Sequence, residues 1–147
     1  MRRASDPTPL DVAAALLRRA PLSEAELTAR LVAKGYRPET ATTTVARCRE
    51  LGYLGDAAFA EDRARALRRR GAGREKIAAD LAGRGVPEPL VERAIADSLD
   101  GERESVWARR VLDRAGEGRG GPRAWRLLAS RGFPEDVITE LLGCADE

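Results

Sequence analysis

Two stretches of the chain are rich in cations, and their residue types suit binding better than catalysis. Between positions 63 and 76 seven basic residues stand against one acid, Glu75, and between positions 103 and 131 eight arginines stand against three acids. A guanidinium binds a carboxylate or a phosphate through two parallel hydrogen bonds, so these stretches predict a surface for phosphates or for an acidic protein. The predicted interface comprises Arg63, Arg65, Arg68, Arg69, Arg70, Arg74, Lys76, Arg109, Arg110, Arg123 and Arg126.

The acids are segregated from these cations. Positions 88 to 104 hold six acids and two arginines. A coding preference for arginine would explain why Lys34 and Lys76 are the chain's only lysines, but it would not separate acids from bases. The alternative interpretation is that these arginines cover ordinary solvated helices. No RNA-recognition or helix-turn-helix signature accompanies the cations, so sequence-specific reading of a nucleic acid is not predicted.

The groups that most often perform catalysis near neutral pH are missing from the chain. It has no histidine, which excludes Ser-His and Cys-His mechanisms, and its two cysteines, Cys48 and Cys144, form no C-x-x-C pair. A zinc site is therefore not expected. No motif gathers carboxylates into a catalytic site, so we expect no enzymatic activity, no catalytic residues, no metal and no cofactor.

The start of the sequence does not have the pattern of a signal peptide or a membrane span. Its first apolar stretch, residues 12–17, has six residues and is flanked by Asp11 and Arg18. We expect a cytoplasmic protein with reduced thiols and no membrane partner.

A short pattern that recurs at intervals of 50 and 47 residues organises the chain. It consists of a leucine, then a basic residue, a glycine and an apolar residue, and it covers residues 31–36, 81–86 and 128–133. A helix that ends in a cation followed by a left-handed glycine and an apolar residue is a Schellman stop, so Gly35, Gly85 and Gly132 each end a helix. Proline and acids follow each stop and predict the start of another helix.

The composition supports a helical fold, because apolar residues make up 43% of the chain and aromatics only 4%. Ser23 with Glu26 forms a capping-box pattern before one of the helices. The predicted helices are residues 11–19, 23–34, 38–51, 56–70, 74–84, 88–98, 102–114, 122–131 and 135–142.

These nine helices predict an all-α fold of three tandem three-helix repeats in an elongated, curved array. We assign residues 1–9 to a flexible tail and residues 10–54, 55–100 and 101–147 to the three repeats. Because three short helices should not bury their apolar faces alone, we expect neighbouring repeats to pack end on end.

The centre of the chain carries a more specific pattern. Gly52, Tyr53, Leu54 and Asp56 precede Phe59-Ala60 and an arginine-rich helix, and then Gly73, Ile77, Leu81, Gly85 and Val86 follow at fixed spacing. This pattern resembles the central signature of the RecX family. The family often carries Asp or Asn where this chain has Gly55, which leaves Asp56 as the expected helix cap.

We interpret this signature as structural. Tyr53, Leu54 and Phe59 are expected to form an apolar hinge that docks repeat two onto repeat one. The structural positions are therefore Gly52, Tyr53, Leu54, Asp56 and Phe59, with the stop glycines Gly35, Gly85 and Gly132.

The resemblance implies a regulatory protein that binds the filament of a RecA-type recombinase. By that resemblance it would lower recombinase, ATPase and co-protease activity in DNA repair and the SOS response. The alternative is a helical protein that binds single- or double-stranded DNA non-specifically through the basic face. We expect a monomer.

Overall fold

The computed structural model describes residues 6–143, and within them the chain is all α-helical. Its helices lie within two residues of the predicted boundaries at each end. They are α1 (Pro9–Arg19), α2 (Glu24–Ala33), α3 (Pro38–Glu50), α4 (Asp56–Arg69), α5 (Arg74–Gly83), α6 (Glu88–Ser98), α7 (Glu104–Ala115), α8 (Pro122–Ser130) and α9 (Glu135–Leu142).

Each group of three consecutive helices forms one repeat around a hydrophobic core of its own. The three cores draw their residues from positions 10–54, 59–95 and 107–142, and no core crosses into a neighbouring repeat among the described residues. The apolar residues of each repeat therefore pack mainly against residues of the same repeat. Fully buried alanines such as Ala13, Ala60, Ala64 and Ala108 let its short helices approach closely.

The three repeated helix stops have the predicted geometry. The amide of Tyr36 donates to the Leu31 carbonyl at 3.2 Å, and the corresponding bonds from Val86 to Leu81 and from Phe133 to Leu128 are 3.1 Å. Gly35, Gly85 and Gly132 all have positive φ, as a Schellman stop requires.

The helix starts confirm one predicted cap and correct another. Ser23 and Glu26 form the predicted capping box at the start of α2. Gly55, and not Asp56, is the cap residue of α4. The buried Asp56 carboxylate instead accepts a 2.9 Å hydrogen bond from the amide of Glu24, so it caps the helix of a different repeat.

The repeats are joined by polar contacts at the two ends of α5. At one end the Ser23 hydroxyl of repeat one donates to the Arg84 carbonyl at 2.6 Å. At the other end the amides of Gly73 and Glu75 donate to the Arg131 and Gly132 carbonyls of repeat three, at 2.8 and 2.9 Å. A helix of 10 residues is about 15 Å long, so repeats one and three are held apart in series by repeat two.

We expect Gly85→Val to lower the free energy of unfolding by about 1 kcal/mol or more, because a left-handed backbone strains any residue with a Cβ. Gly85 has a φ of 80°, and a Cβ there would lie 2.5 Å from the Cβ of Ala25 in repeat one. Urea denaturation measures the loss.

Gly35→Val is the matched control, because Gly35 has a φ of 104° but no atom within 4 Å of the position that a Cβ would take. The Gly85 variant should lose more stability than the Gly35 variant, since only the former presses against a neighbouring repeat. Equal losses would mean that the contact with Ala25 adds nothing to the backbone strain.

A candidate basic interface between repeats two and three

The carboxyl end of α4 is capped by two arginines from the next repeat. Arg114 donates from Nη1 to the Arg69 carbonyl at 3.2 Å, and Arg131 donates from Nη1 to the Arg70 carbonyl at 2.9 Å. The last carbonyls of a helix lack partners within the helix and carry partial negative charge, so cationic donors are favoured there. These bonds bring the two basic stretches of the sequence together.

Two glycines make this approach possible. A Cβ on Gly71 would lie 2.6 Å from Nη1 of Arg131, so a side chain at Gly71 would displace that guanidinium. A Cβ on Gly132 would lie 2.5 Å from the Cβ of Lys76, which places Lys76 against the same turn. Both glycines have positive φ.

The junction thus gathers five cationic residues, which we call the basic cluster: Arg69, Arg70, Lys76, Arg114 and Arg131. None of these five residues forms a salt bridge within residues 6–143. Other arginines of the same two basic stretches do form salt bridges. Arg69, Arg70, Arg114 and Lys76 are exposed. Five cationic residues on adjoining backbone segments, with the acid Glu75 beside them, raise the local positive potential and attract a polyanion or an acidic protein surface.

The prediction that Arg68 belongs to the interface is wrong. Its side chain is buried, with 2% of the residue exposed, and it makes a two-pronged ion pair with Glu104 of repeat three. Its Nε also donates to the Ser98 hydroxyl at 3.0 Å. Arg68 follows Ala60 and Ala64 at intervals of four, so it lies on the buried face of α4.

Arg63 is also used within the protein, at the junction of repeats one and two. It donates from Nε and Nη2 to both carboxylate oxygens of Asp80, at 3.0 and 2.9 Å. Arg84 bonds the same Asp80 and also Glu26 of repeat one, each at 3.0 Å. The hydrogen bond from Arg63, with help from Arg84, holds the pKa of Asp80 below its usual value, and the same bond raises the pKa of Arg63.

Most of the remaining predicted interface residues have partners of their own. Arg65 pairs with Glu61 at 3.0 Å, and Arg74 pairs with Glu92 at 3.5 Å. Two more belong to repeat three, where Arg109 donates to the Gly118 carbonyl and Arg110 lies 4.9 Å from the ring centre of Trp107 and 3.6 Å from Glu102. The last two, exposed on α8, are Arg123 and Arg126.

Sequence reasoning missed two members of the basic cluster, Arg114 and Arg131. Both lie within the second basic stretch, but their sequence positions do not indicate that they meet the end of α4. The sequence feature that indicates this contact is Gly71. It is a glycine at the end of an arginine-rich helix, where the missing side chain allows another segment to approach closely.

The signature residues line a groove and do not form a packed hinge. Leu54 belongs to the core of repeat one and Phe59 to that of repeat two. Tyr53 follows Gly52, which has a φ of 74°, and its amide donates to the Cys48 carbonyl at 2.8 Å. The Tyr53 residue is 51% exposed, so its predicted docking role is wrong.

The described residues offer little for other classes of site. No cluster of three or more His, Cys, Asp or Glu side chains suited to a metal occurs within 6–143. No helix in this range is both long and apolar enough to cross a membrane. Cys48 is buried in the core of repeat one, where burial raises the pKa of its thiol, and Cys144 lies outside the described residues.

Comparisons with known proteins agree on one family. The model of the first three-helix domain of RecX matches residues 10–48, and that of the second matches residues 56–95. The chain is 33% identical over 143 residues to the regulatory protein RecX of Chromohalobacter salexigens, covering 95% of this chain and 94% of the relative. It is 37% identical over 136 residues to the regulatory protein RecX of Thermus thermophilus, covering 90% and 88%.

The fold has solved counterparts. The crystal structure of RecX from Lactobacillus salivarius superposes with a TM-score of 0.69 over 94% of each chain, at 14% sequence identity. At this identity the likeness is one of fold.

Proposed function

The chain belongs to the RecX family of regulatory proteins, and from that membership we propose that it binds the filament of a RecA-type recombinase and lowers its activity. The relatives' names give a regulatory role. The recombinase as partner, inhibition as the effect, and a site of action in the cytoplasm are our proposal. We assign no catalytic step to the protein.

The observation that carries this proposal is the basic cluster. A recombinase filament on DNA presents a continuous line of phosphates, and its protein surface carries carboxylates that a guanidinium fork fits. Arg69, Arg70 and Lys76 are exposed and without salt bridges among the described residues, so binding breaks no existing ion pair.

The serial arrangement of the repeats supports contact with an extended partner. Repeats one and three sit at opposite ends of α5, so the molecule offers surfaces spread along its length and not one concave pocket. Such a body can contact more than one subunit of a filament, and contacts made in series add to the overall affinity.

The second candidate function is non-specific binding to DNA alone, and the same basic cluster favours it. The two functions differ in their dependence on the recombinase and on salt. Binding to phosphates alone should weaken steeply as salt rises, because counterions are released when cations meet the DNA backbone.

The deciding experiment is sedimentation of this protein with recombinase filaments on single-stranded DNA, with and without bound nucleotide, beside DNA alone. We expect the protein to pellet with nucleotide-bound filaments at concentrations where it leaves DNA alone unbound, and recombinase ATP hydrolysis to fall over the same range. Equal binding to DNA alone, with no effect on ATP hydrolysis, would favour the second function and refute the first.

A further inference from the structure

A continuous apolar groove lies between repeats one and two, away from the basic cluster. Its largest cavity, about 430 Å³, is walled by the end of α1, the loop from α3 to α4 and the start of α4. Two neighbouring cavities of about 340 and 290 Å³ share lining residues with it: Leu17 and Tyr53 with one, and Pro21, Phe59 and Asp62 with the other. Grooves between helices are common binding sites for an apolar segment.

Tyr53 lines this groove and is more exposed than the matching residues of other helix stops. In the helix stops that end α4, α5 and α8, the residue after the left-handed glycine is buried (Ala72, Val86 and Phe133), and in the stop that ends α2, Tyr36 is partly buried against the core of repeat one. Tyr53 has the same backbone hydrogen bond, yet half of it is exposed and no hydrogen bond to its hydroxyl occurs among the described residues. A rigid aromatic that the core does not use is well suited to anchor a partner.

Two charged side chains without salt bridges among the described residues line the groove, and they have opposite signs. Arg18 lines the cavity beside Leu17 and Tyr53, and Asp62 lines the two cavities that extend from Phe59 towards Arg63. Neither Arg18 nor Asp62 forms a salt bridge among residues 6–143. The other cations beside Asp62, Arg63 and Arg84, are held by Asp80 and Glu26.

We propose that this groove is a second docking surface, which takes a short amphipathic segment of the recombinase protomer. Apolar side chains of the segment lie against Tyr53 and Phe59, an acidic residue meets Arg18, and a basic residue meets Asp62. This inference rests on the proposed function. It adds an apolar contact at one end of α5 to the electrostatic contact at the other, and two linked contacts bind far more tightly than either alone.

The test compares Tyr53→Ala with Val32→Ala in the sedimentation assay on recombinase filaments. Val32 is the matched control, because it is an exposed apolar residue of repeat one, 41% exposed, that lies outside the groove. We expect the Tyr53 variant to need about tenfold or more protein for half-maximal binding, as for an aromatic anchor. Its dependence on salt should match that of the wild type, because no charge is lost, and the Val32 variant should bind as the wild type does.

Asp62→Lys tests the charge of the expected segment. It should weaken filament binding at least as much as Asp62→Asn, because the lysine repels the basic residue that we place opposite Asp62. Circular dichroism and urea denaturation check that these variants fold as the wild type.

The possible failures are distinct. If the wild type binds filaments and the folded Tyr53 variant binds equally well, the groove inference is wrong and the proposed function stands. If the wild type self-associates through the groove, so that Tyr53→Ala converts a dimer to a monomer in sedimentation velocity without changing filament binding, the occupant is a second copy and the inference is wrong. If the wild type does not bind filaments, the proposed function itself fails.

Discussion

Replacing Arg68 by alanine should lower the free energy of unfolding by about 3–5 kcal/mol, the largest loss of stability that we expect from any single substitution of a charged residue in this chain. The guanidinium is buried and makes bonds to Glu104 and Ser98. Its removal leaves the largely buried Glu104 carboxylate without a counter-charge between repeats two and three. Urea denaturation followed by circular dichroism measures the change.

Two further variants test the cause of this loss. Arg65→Ala is the surface control, because Arg65 pairs with Glu61 while both side chains are more than a third exposed, and it should cost less than about 1 kcal/mol. Replacing both Arg68 and Glu104 by methionine should recover most of the stability, since an apolar pair leaves no buried charge. A loss for Arg68→Ala as small as that for Arg65→Ala would contradict the buried ion pair.

Arg68 also shows where sequence reasoning about charge fails. In a run of three arginines nothing in the charge pattern distinguishes Arg68 from Arg69 and Arg70, so charge alone assigns all three to the interface. The helical period does distinguish them, because Asp56, Ala60, Ala64 and Arg68 recur at intervals of four and all are buried. The row of small residues is the sequence signal that places Arg68 on the inner face of α4.

Local features were predicted well because each depends on a few neighbouring residues. Helix stops at Gly35, Gly85 and Gly132 follow from a glycine after a basic residue, and the start of α2 follows from Ser23 with Glu26. These signals repeat along the chain, so they also identified three repeats and the boundaries of their helices.

Contacts between repeats were predicted poorly because residues far apart in the sequence make them. Asp56 has the position of a cap for α4, but it bonds the amide of Glu24, 32 residues earlier. Arg131 reaches the carbonyl of Arg70 across 61 residues. Sequence periodicity carries no information on such pairs, and hydrogen bonds and ion pairs of this kind join the repeats.

The basic cluster gives the second large expected effect. Replacing Arg69 and Arg70 together by alanine should raise the concentration needed for half-maximal inhibition of recombinase ATP hydrolysis by about a hundredfold or more. Each lost charge-assisted bond is worth about 1.5–3 kcal/mol, so two lost bonds total at least about 3 kcal/mol, and about 1.4 kcal/mol corresponds to a factor of ten. Folding should be preserved, since both side chains are exposed, and alanine favours the helix. Their carbonyls still accept the bonds from Arg114 and Arg131.

The matched control replaces Arg30 and Arg37, two exposed arginines of repeat one that form no salt bridge among the described residues. It changes the net charge by the same two units, so any difference between the double variants reports position and not total charge. The control should inhibit as the wild type does. If both pairs weaken inhibition equally, general attraction to a polyanion explains binding and the basic cluster has no special role. If the Arg69 and Arg70 variant is folded and inhibits at the wild-type concentration, the cluster is not the binding surface, because its two exposed guanidinium groups at the end of α4 would then contribute nothing.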